Sequence, residues 1–112
     1  MDVYKIELTE PAENDIRDIA RYIAAQLNAP VTAINMVNTI RKAISKLETG
    51  AFLHPLVRDD RLAAMGYRAL VIKNYIAFYI INEKEKAVVI DRIIYGRRDW
   101  QNLIYTQFLK RV

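Results

Sequence analysis

Three β-prone runs with almost nothing between them constrain this chain more than any other feature. They are GYRALVIK (66–73), YIAFYIIN (75–82) and KAVVIDRIIY (86–95), all rich in β-branched and aromatic residues. The links are Asn74 and a polar EKE tip at 83–85. Links that short join antiparallel neighbours, so the runs predict a three-stranded meander. The middle run is apolar on both faces, which makes it the central strand.

The first half has a different period. VYKIEL (3–8) alternates, with Val3, Lys5 and Glu7 on one face and Tyr4, Ile6 and Leu8 on the other, as in a half-buried strand. Thr9 is a good N-cap, and Pro11 sits in the first turn, where its missing N–H costs little. Glu10, Glu13 and Asp15 complement the helix dipole there. Ile16, Ile19, Ala20, Ile23 and Leu27 then recur at helical spacing. This helix should end near Asn28, because Pro30 disfavours helix at Ala29. Ala33, Val37, Ile40, Ile44 and Leu47 predict a second helix with Gly50 as its C-terminal stop. The two stripes form an antiparallel helical hairpin. Residues 51–65 read as a connecting loop with room for a short helical turn, and 97–112 as a C-terminal helix or a tail. The layout is β-α-α-β-β-β in a single domain, 1–112. Its class is α+β, with the helical hairpin on one face of a four-stranded, mainly antiparallel sheet.

Composition narrows the chemistry. A chain of 112 residues is one domain by length. It has no cysteine, which removes disulfides, thiolate metal sites and thiol nucleophiles. One histidine cannot build a histidine metal cluster, and His54 beside Pro55 reads as a surface or loop-packing residue rather than a catalyst. There is no Gly-rich phosphate loop, so no cofactor is expected. No apolar window of about 18 residues is present, so no membrane span is expected. The charged, alternating N-terminus is wrong for a signal peptide, which points to the cytoplasm. Charge is uneven: residues 1–57 carry 6 Lys/Arg against 7 Asp/Glu, and residues 58–112 carry 11 against 6. A basic second half fits an anionic partner or a solvated basic face.

What remains is arginine and aromatic chemistry, concentrated in DRIIYGRRDW (91–100). Strict alternation puts Arg92 on the face of Val88, Ile90 and Ile94, with Asp91, Ile93 and Tyr95 opposite. Arg68 shares a face with Leu70 and Ile72. A guanidinium in an apolar strand either pairs with an acid, here Asp91 or one from the first helix, or is presented to a phosphate or carboxylate. Arg97 and Arg98 follow Gly96 at the strand exit, flanked by Tyr95 and Trp100. Aromatics beside arginines stack on bases or on a protein partner, although Trp100 equally suits a cover for the end of the core.

With these segments in this order, the chain resembles the RelE/ParE superfamily of toxins from bacterial type II toxin–antitoxin systems, also described as plasmid stabilisation proteins. The resemblance rests on YKIELTEPAENDIRDIARYIA (4–24), GYRALVIKNYIAFYIINE (66–83) and DRIIYGRRDW, and spans about residues 3–105. It implies a compact basic toxin that arrests growth and is neutralised by a cognate antitoxin. An acidic antitoxin segment would cover the basic half, and an exposed sheet edge would accept a strand from it.

The superfamily divides by target. RelE-like members cleave ribosome-bound mRNA as endoribonucleases, by attack of a ribose 2′-hydroxyl on the adjacent phosphate, which needs a base, an acid and cationic stabilisation. ParE-like members inhibit DNA gyrase and need no such set. Arg98 matches the RelE arginine after the last strand's glycine, and Arg68 matches a lysine in the second strand. Ile76 stands where RelE has a central-strand arginine. Ile104 falls at the spacing of its C-terminal tyrosine, with Tyr105 one residue on. The resemblance is therefore closer to the ParE branch, with gyrase as the expected partner. Arg68, Lys73, Arg92, Tyr95, Arg97, Arg98 and Trp100 are the expected target- or nucleic-acid-binding residues. In the RelE-like alternative, Arg68, Arg98 and Tyr105 would be catalytic. A non-toxic binding domain of the same fold is the third reading.

Overall fold

The computed structural model describes residues 2–111; Met1 and Val112, the ends of the expected domain and tail, lie outside the described residues. The strands are β1 (Lys5–Leu8), β2 (Arg68–Ile72), β3 (Tyr75–Asn82) and β4 (Ala87–Tyr95). The helices are α1 (Glu10–Arg21), α2 (Pro30–Ser45), α3 (Leu47–Gly50), α4 (Asp60–Ala64) and α5 (Trp100–Arg111). The sheet order is β1-β4-β3-β2, so the meander is antiparallel and β1 adds to it in parallel beside β4.

Local chemistry accounts for the first helix. Thr9 caps α1 by accepting the Ala12 N–H at 3.1 Å, and its own hydroxyl donates to the Asp91 carbonyl at 2.8 Å. The cap therefore also fastens the helix to β4. Ile16, Ile19 and Ile23 are buried as their spacing predicts, each contributing about 1.5–3 kcal/mol of burial. Leu27 departs from the expectation and is exposed. A π-helical turn at Tyr22–Gln26 is the reason: Leu27 N–H reaches back five residues to the Tyr22 carbonyl at 3.2 Å. The extra residue in that turn rotates Leu27 out of the stripe. Asn28 ends the segment at φ 52°, a left-handed conformation that asparagine tolerates. Gly50 does not stop α2 in a left-handed cap. Its φ is −124°, and the chain runs on into a 3₁₀ turn at Ala51–Leu53.

Two cores share the sheet. On the hairpin face, Ile16, Ile19, Ile40, Ile44 and Leu47 pack against Leu70, Ala77, Tyr79, Val88, Ile90 and Ile93. On the opposite face, a smaller core gathers Val57, Leu62, Tyr67, Phe78, Ile94 and Ile104. Thus α4 and the helical C-terminal segment α5 cover the side away from the hairpin.

Strict alternation along β4 fails at one point. The register passes from Phe78↔Arg92 to Tyr79↔Ile90, leaving Asp91 as an extra residue in a β-bulge. A bulge inverts the faces beyond it. Ile93, not Ile94, therefore joins Val88 and Ile90 on the hairpin face, and Ile94 belongs to the smaller core.

Candidate functional site

The bulge decides what the β4 arginine does. β1 ends at Leu8 opposite Ile90, so the next stretch of β4 would have no strand on that side. Asp15, one and a half turns into α1, fills the gap. Its carboxylate accepts the Ile93 N–H at 2.8 Å, Arg92 Nε at 2.7 Å and Arg92 Nη2 at 2.8 Å. This is a bidentate pair between side chains only 18% and 13% exposed. The hydrogen bond to Asp15 raises the Arg92 pKa, partly offset by burial. Of the two partners open to Arg92, the helix acid has it. Asp91 is fully buried and accepts the Tyr67 hydroxyl at 2.9 Å.

Arg68 sits on the hairpin face, as its register partner Tyr79 does. Its Nη1 donates to the His54 carbonyl at 2.6 Å, and its guanidinium lies 5.4 Å from the Phe52 ring centroid. Beside it the Tyr79 hydroxyl donates to the Ala51 carbonyl at 2.6 Å. Burial pushes the Tyr79 pKa up to about 12, against the opposing charge of Arg68. Tyr105 belongs to α5 on the other face, with Arg61 held 4.5 Å from its ring centroid. Arg68 and Tyr105 are thus separated by the sheet.

Lys73, Tyr95, Arg97 and Arg98 come together at one end of the sheet, where the β2–β3 turn meets the exit of β4. Gly96 N–H donates to the Asn74 carbonyl at 2.9 Å, and Arg98 N–H to the Tyr95 carbonyl at 3.0 Å. Gly96 suits this close approach, since a Cβ there would lie 3.4 Å from the Asn74 oxygen. All four side chains are exposed. Among the described residues, none of the three cations there has an ion-pair partner.

Trp100 opens α5 and stacks on Phe78, with ring centroids 5.0 Å apart and planes inclined 25°. It covers the end of the smaller core and also walls a groove of about 490 Å³, lined by Leu56, Val71, Ile76, Phe78 and Arg58 among others. The groove runs beside β2, whose outer edge is only half covered. Residues 55–57 pair with its first half through Ala69 N–H to Pro55 (3.3 Å) and Val57 N–H to Tyr67 (3.0 Å). Past Ala69 the edge is open at Val71, which is 70% exposed. Among the described residues, no group of three or more metal-ligating side chains is present.

Sequence reasoning missed two things here. It allowed Arg92 an acid from the first helix but did not single out Asp15, because which acid meets Arg92 depends on where β1 stops. It also passed over Tyr75, whose ring meets that of its register partner Tyr95 edge to face at 6.0 Å; no local periodicity marks a pair formed across two strands.

Residues 6–100 match the family described as ParE toxin of type II toxin-antitoxin system, parDE. Three solved structures share the fold. One is a chromosomal ParDE system from P. aeruginosa, with a TM-score of 0.70, 20% identity, and coverage of 83% of this chain and 96% of that one. Another is the RelBE2 toxin–antitoxin complex from Mycobacterium tuberculosis, with a TM-score of 0.56, 18% identity, and coverage of 83% and 98%. The third is a free double arginine-to-alanine mutant of E. coli toxin RelE, with a TM-score of 0.61, 12% identity, and coverage of 98% of each chain. Among curated protein sequences none matches significantly. With its sheet order, its hairpin and 95 consecutive residues matching the family, the chain belongs to the ParE toxins of type II toxin–antitoxin systems, within the RelE/ParE superfamily.

Proposed function

We propose that this toxin arrests growth in the ParE manner, by binding DNA gyrase through protein–protein contact, and that a cognate antitoxin neutralises it. The observation that carries this reading is the separation of the groups a ribonuclease would need. Arg68 is bound to the His54 carbonyl on the hairpin face, and Tyr105 lies on the opposite face. Ile104, at the spacing of the RelE tyrosine, is fully buried in the smaller core. Ile76, in place of the central-strand arginine, lines an apolar groove. In-line attack by a 2′-hydroxyl needs base, acid and cation within a few ångströms of one phosphate, and this placement favours no such set.

The features that remain suit a protein partner. Arg97, Arg98 and Trp100 sit close in sequence at the exit of β4, and arginine and tryptophan are typical interface anchors. The open edge at Val71 and the adjoining groove suit an extended antitoxin segment, with Arg58 at the rim for an acidic residue. Among the described residues, no helix is long and apolar enough to cross a membrane, and a gyrase target places the action in the cytoplasm.

The test is induced expression in a bacterium, with DNA supercoiling and message integrity read together. Growth arrest with double-strand breaks or lost supercoiling and intact messages is the expected result. Arrest with messages cut at ribosome-bound codons would overturn the reading. One observation favours that runner-up: Arg98, which matches a RelE arginine, is exposed and, among the described residues, without an ion-pair partner.

A further inference from the structure

Residues 22–40, from the π-helical turn well into α2, are the longest stretch of the sequence without a charged side chain. In a protein that is 27% charged, these 19 consecutive residues carry none. They nevertheless face solvent at the tip of the helical hairpin. Leu27, Val31 and Ile34 are 56%, 70% and 62% exposed. The exposed polar groups among them are amides and a hydroxyl: Gln26, Asn28, Thr32, Asn35 and Asn38.

Two features set this tip apart from an ordinary scatter of surface apolar groups. First, α2 carries a second stripe. Val31, Ile34, Asn35 and Asn38 share its outward face, opposite the buried Ala33, Ile40 and Ile44. A helix packed on one side only would normally be charged there. Second, Leu27 is turned outward by the backbone. On unbroken helical spacing it would continue the buried stripe of Ile16, Ile19 and Ile23. The turn closed by Leu27 N–H on the Tyr22 carbonyl rotates it into water instead. The isolated chain loses burial by this turn, and a partner that covers Leu27 restores it.

The chemistry of the tip selects the occupant. Nucleic acid and anionic lipid both call for cations, and so does an acidic protein segment; the stretch has none. A two-fold contact makes the opposite demand. Near the axis each residue faces its own copy, so a charge there repels itself. Amides carry donor and acceptor together and can pair with their own kind. We propose that Leu27, Val31 and Ile34 form the centre of a two-fold contact between two copies of this chain, rimmed by Asn28, Asn35 and Asn38. The contact uses neither the groove beside β2 nor Arg97 and Arg98. Its small apolar centre falls short of a standard interface, which takes roughly 20–30 residues a side. The dimer is therefore weak, with a dissociation constant on the order of 10–100 μM.

The experiment is sedimentation equilibrium of the whole chain, from well below that constant to well above it. Ile34→Lys and Val31→Lys each place like charges across the axis. Leu53→Lys makes the same change at an apolar residue that is 84% exposed outside the tip. Circular dichroism confirms that each variant is folded. The mass of the wild type should rise from 13.0 kDa toward twice that value, and Leu53→Lys should follow it. Ile34→Lys and Val31→Lys should each raise the dissociation constant roughly tenfold or more. A wild type that stays at 13.0 kDa throughout overturns the proposal. So do tip variants that associate like the wild type, or a Leu53→Lys that loses association as fully as they do. A monomer whose Ile34→Lys variant no longer co-purifies with its co-expressed antitoxin, or no longer sediments with phosphatidylcholine vesicles, would give the face to that occupant and equally overturn the dimer.

Discussion

Arg92 and Arg97 stand five residues apart on one segment and obey different physics. Arg92 lies within β4, mostly covered, and both oxygens of one carboxylate hold its guanidinium. Arg97 lies past Gly96 in water, with no ion-pair partner among the described residues. The first is part of what joins helix to sheet. The second adds almost nothing to the fold and is free to meet another molecule. A glycine-marked strand exit thus divides charge paired within the fold from charge left in solvent, in a segment where sequence shows only repeated arginine.

Four changes would break or sharpen this contrast. The largest effect is expected from Asp15→Ala, which strands a mostly buried guanidinium and the Ile93 N–H together. Removing one partner of such a pair costs about 3–5 kcal/mol, read as a lowered midpoint in urea. A loss below about 1 kcal/mol would mean the pair is as weak as a surface bridge.

Next is alkaline pH, acting on Tyr79. Its phenol is neutral in the fold and its pKa is raised to about 12 from 10.0. Its contribution is therefore fully present below pH 10 and is lost as pH climbs through about 12. On that linkage roughly 2–3 kcal/mol disappears across the window. Urea midpoints measured from pH 9 to 12 should fall for the wild type and fall less for Tyr79→Phe.

Smaller again is Trp100→Ala, which removes a half-buried ring stacked on Phe78. About 2 kcal/mol is expected, less than for a fully buried tryptophan. Hydrogen exchange should localise the loss to α5 and spare the hairpin. Protection lost equally in α2 would show that the two cores melt as one.

The smallest effect on stability is expected from Arg97→Glu with Arg98→Glu, within about 0.5 kcal/mol. Growth arrest on induced expression should nevertheless be abolished. Toxicity that survives this double reversal would remove these residues from the target surface.

Much of the architecture was legible because it is written in local period. Tyr4, Ile6 and Leu8 against Lys5 and Glu7 mark β1, the isoleucines at 16, 19 and 23 mark α1, and the one-residue link at Asn74 forces a hairpin. What was not legible depends on a second element. Leu27 keeps helical spacing yet is exposed, because a π-turn intervenes. Ile93 and Ile94 exchange faces because a bulge at Asp91 adds a residue on one strand only. The candidate residues divide similarly: Lys73, Tyr95, Arg97 and Arg98 meet at one end of the sheet, whereas Arg68 and Tyr105 end on opposite faces of it.

Sequence alone determined the order and type of the main elements, the basic second half and the family, since each follows from residue type and near-neighbour spacing. Tertiary structure decided which arginine is engaged and which is free. That depends on β1 ending at Leu8, so that a carboxylate from α1 must complete the edge of β4. No local pattern encodes it, because an unpaired backbone donor acquires its partner only when two distant segments meet.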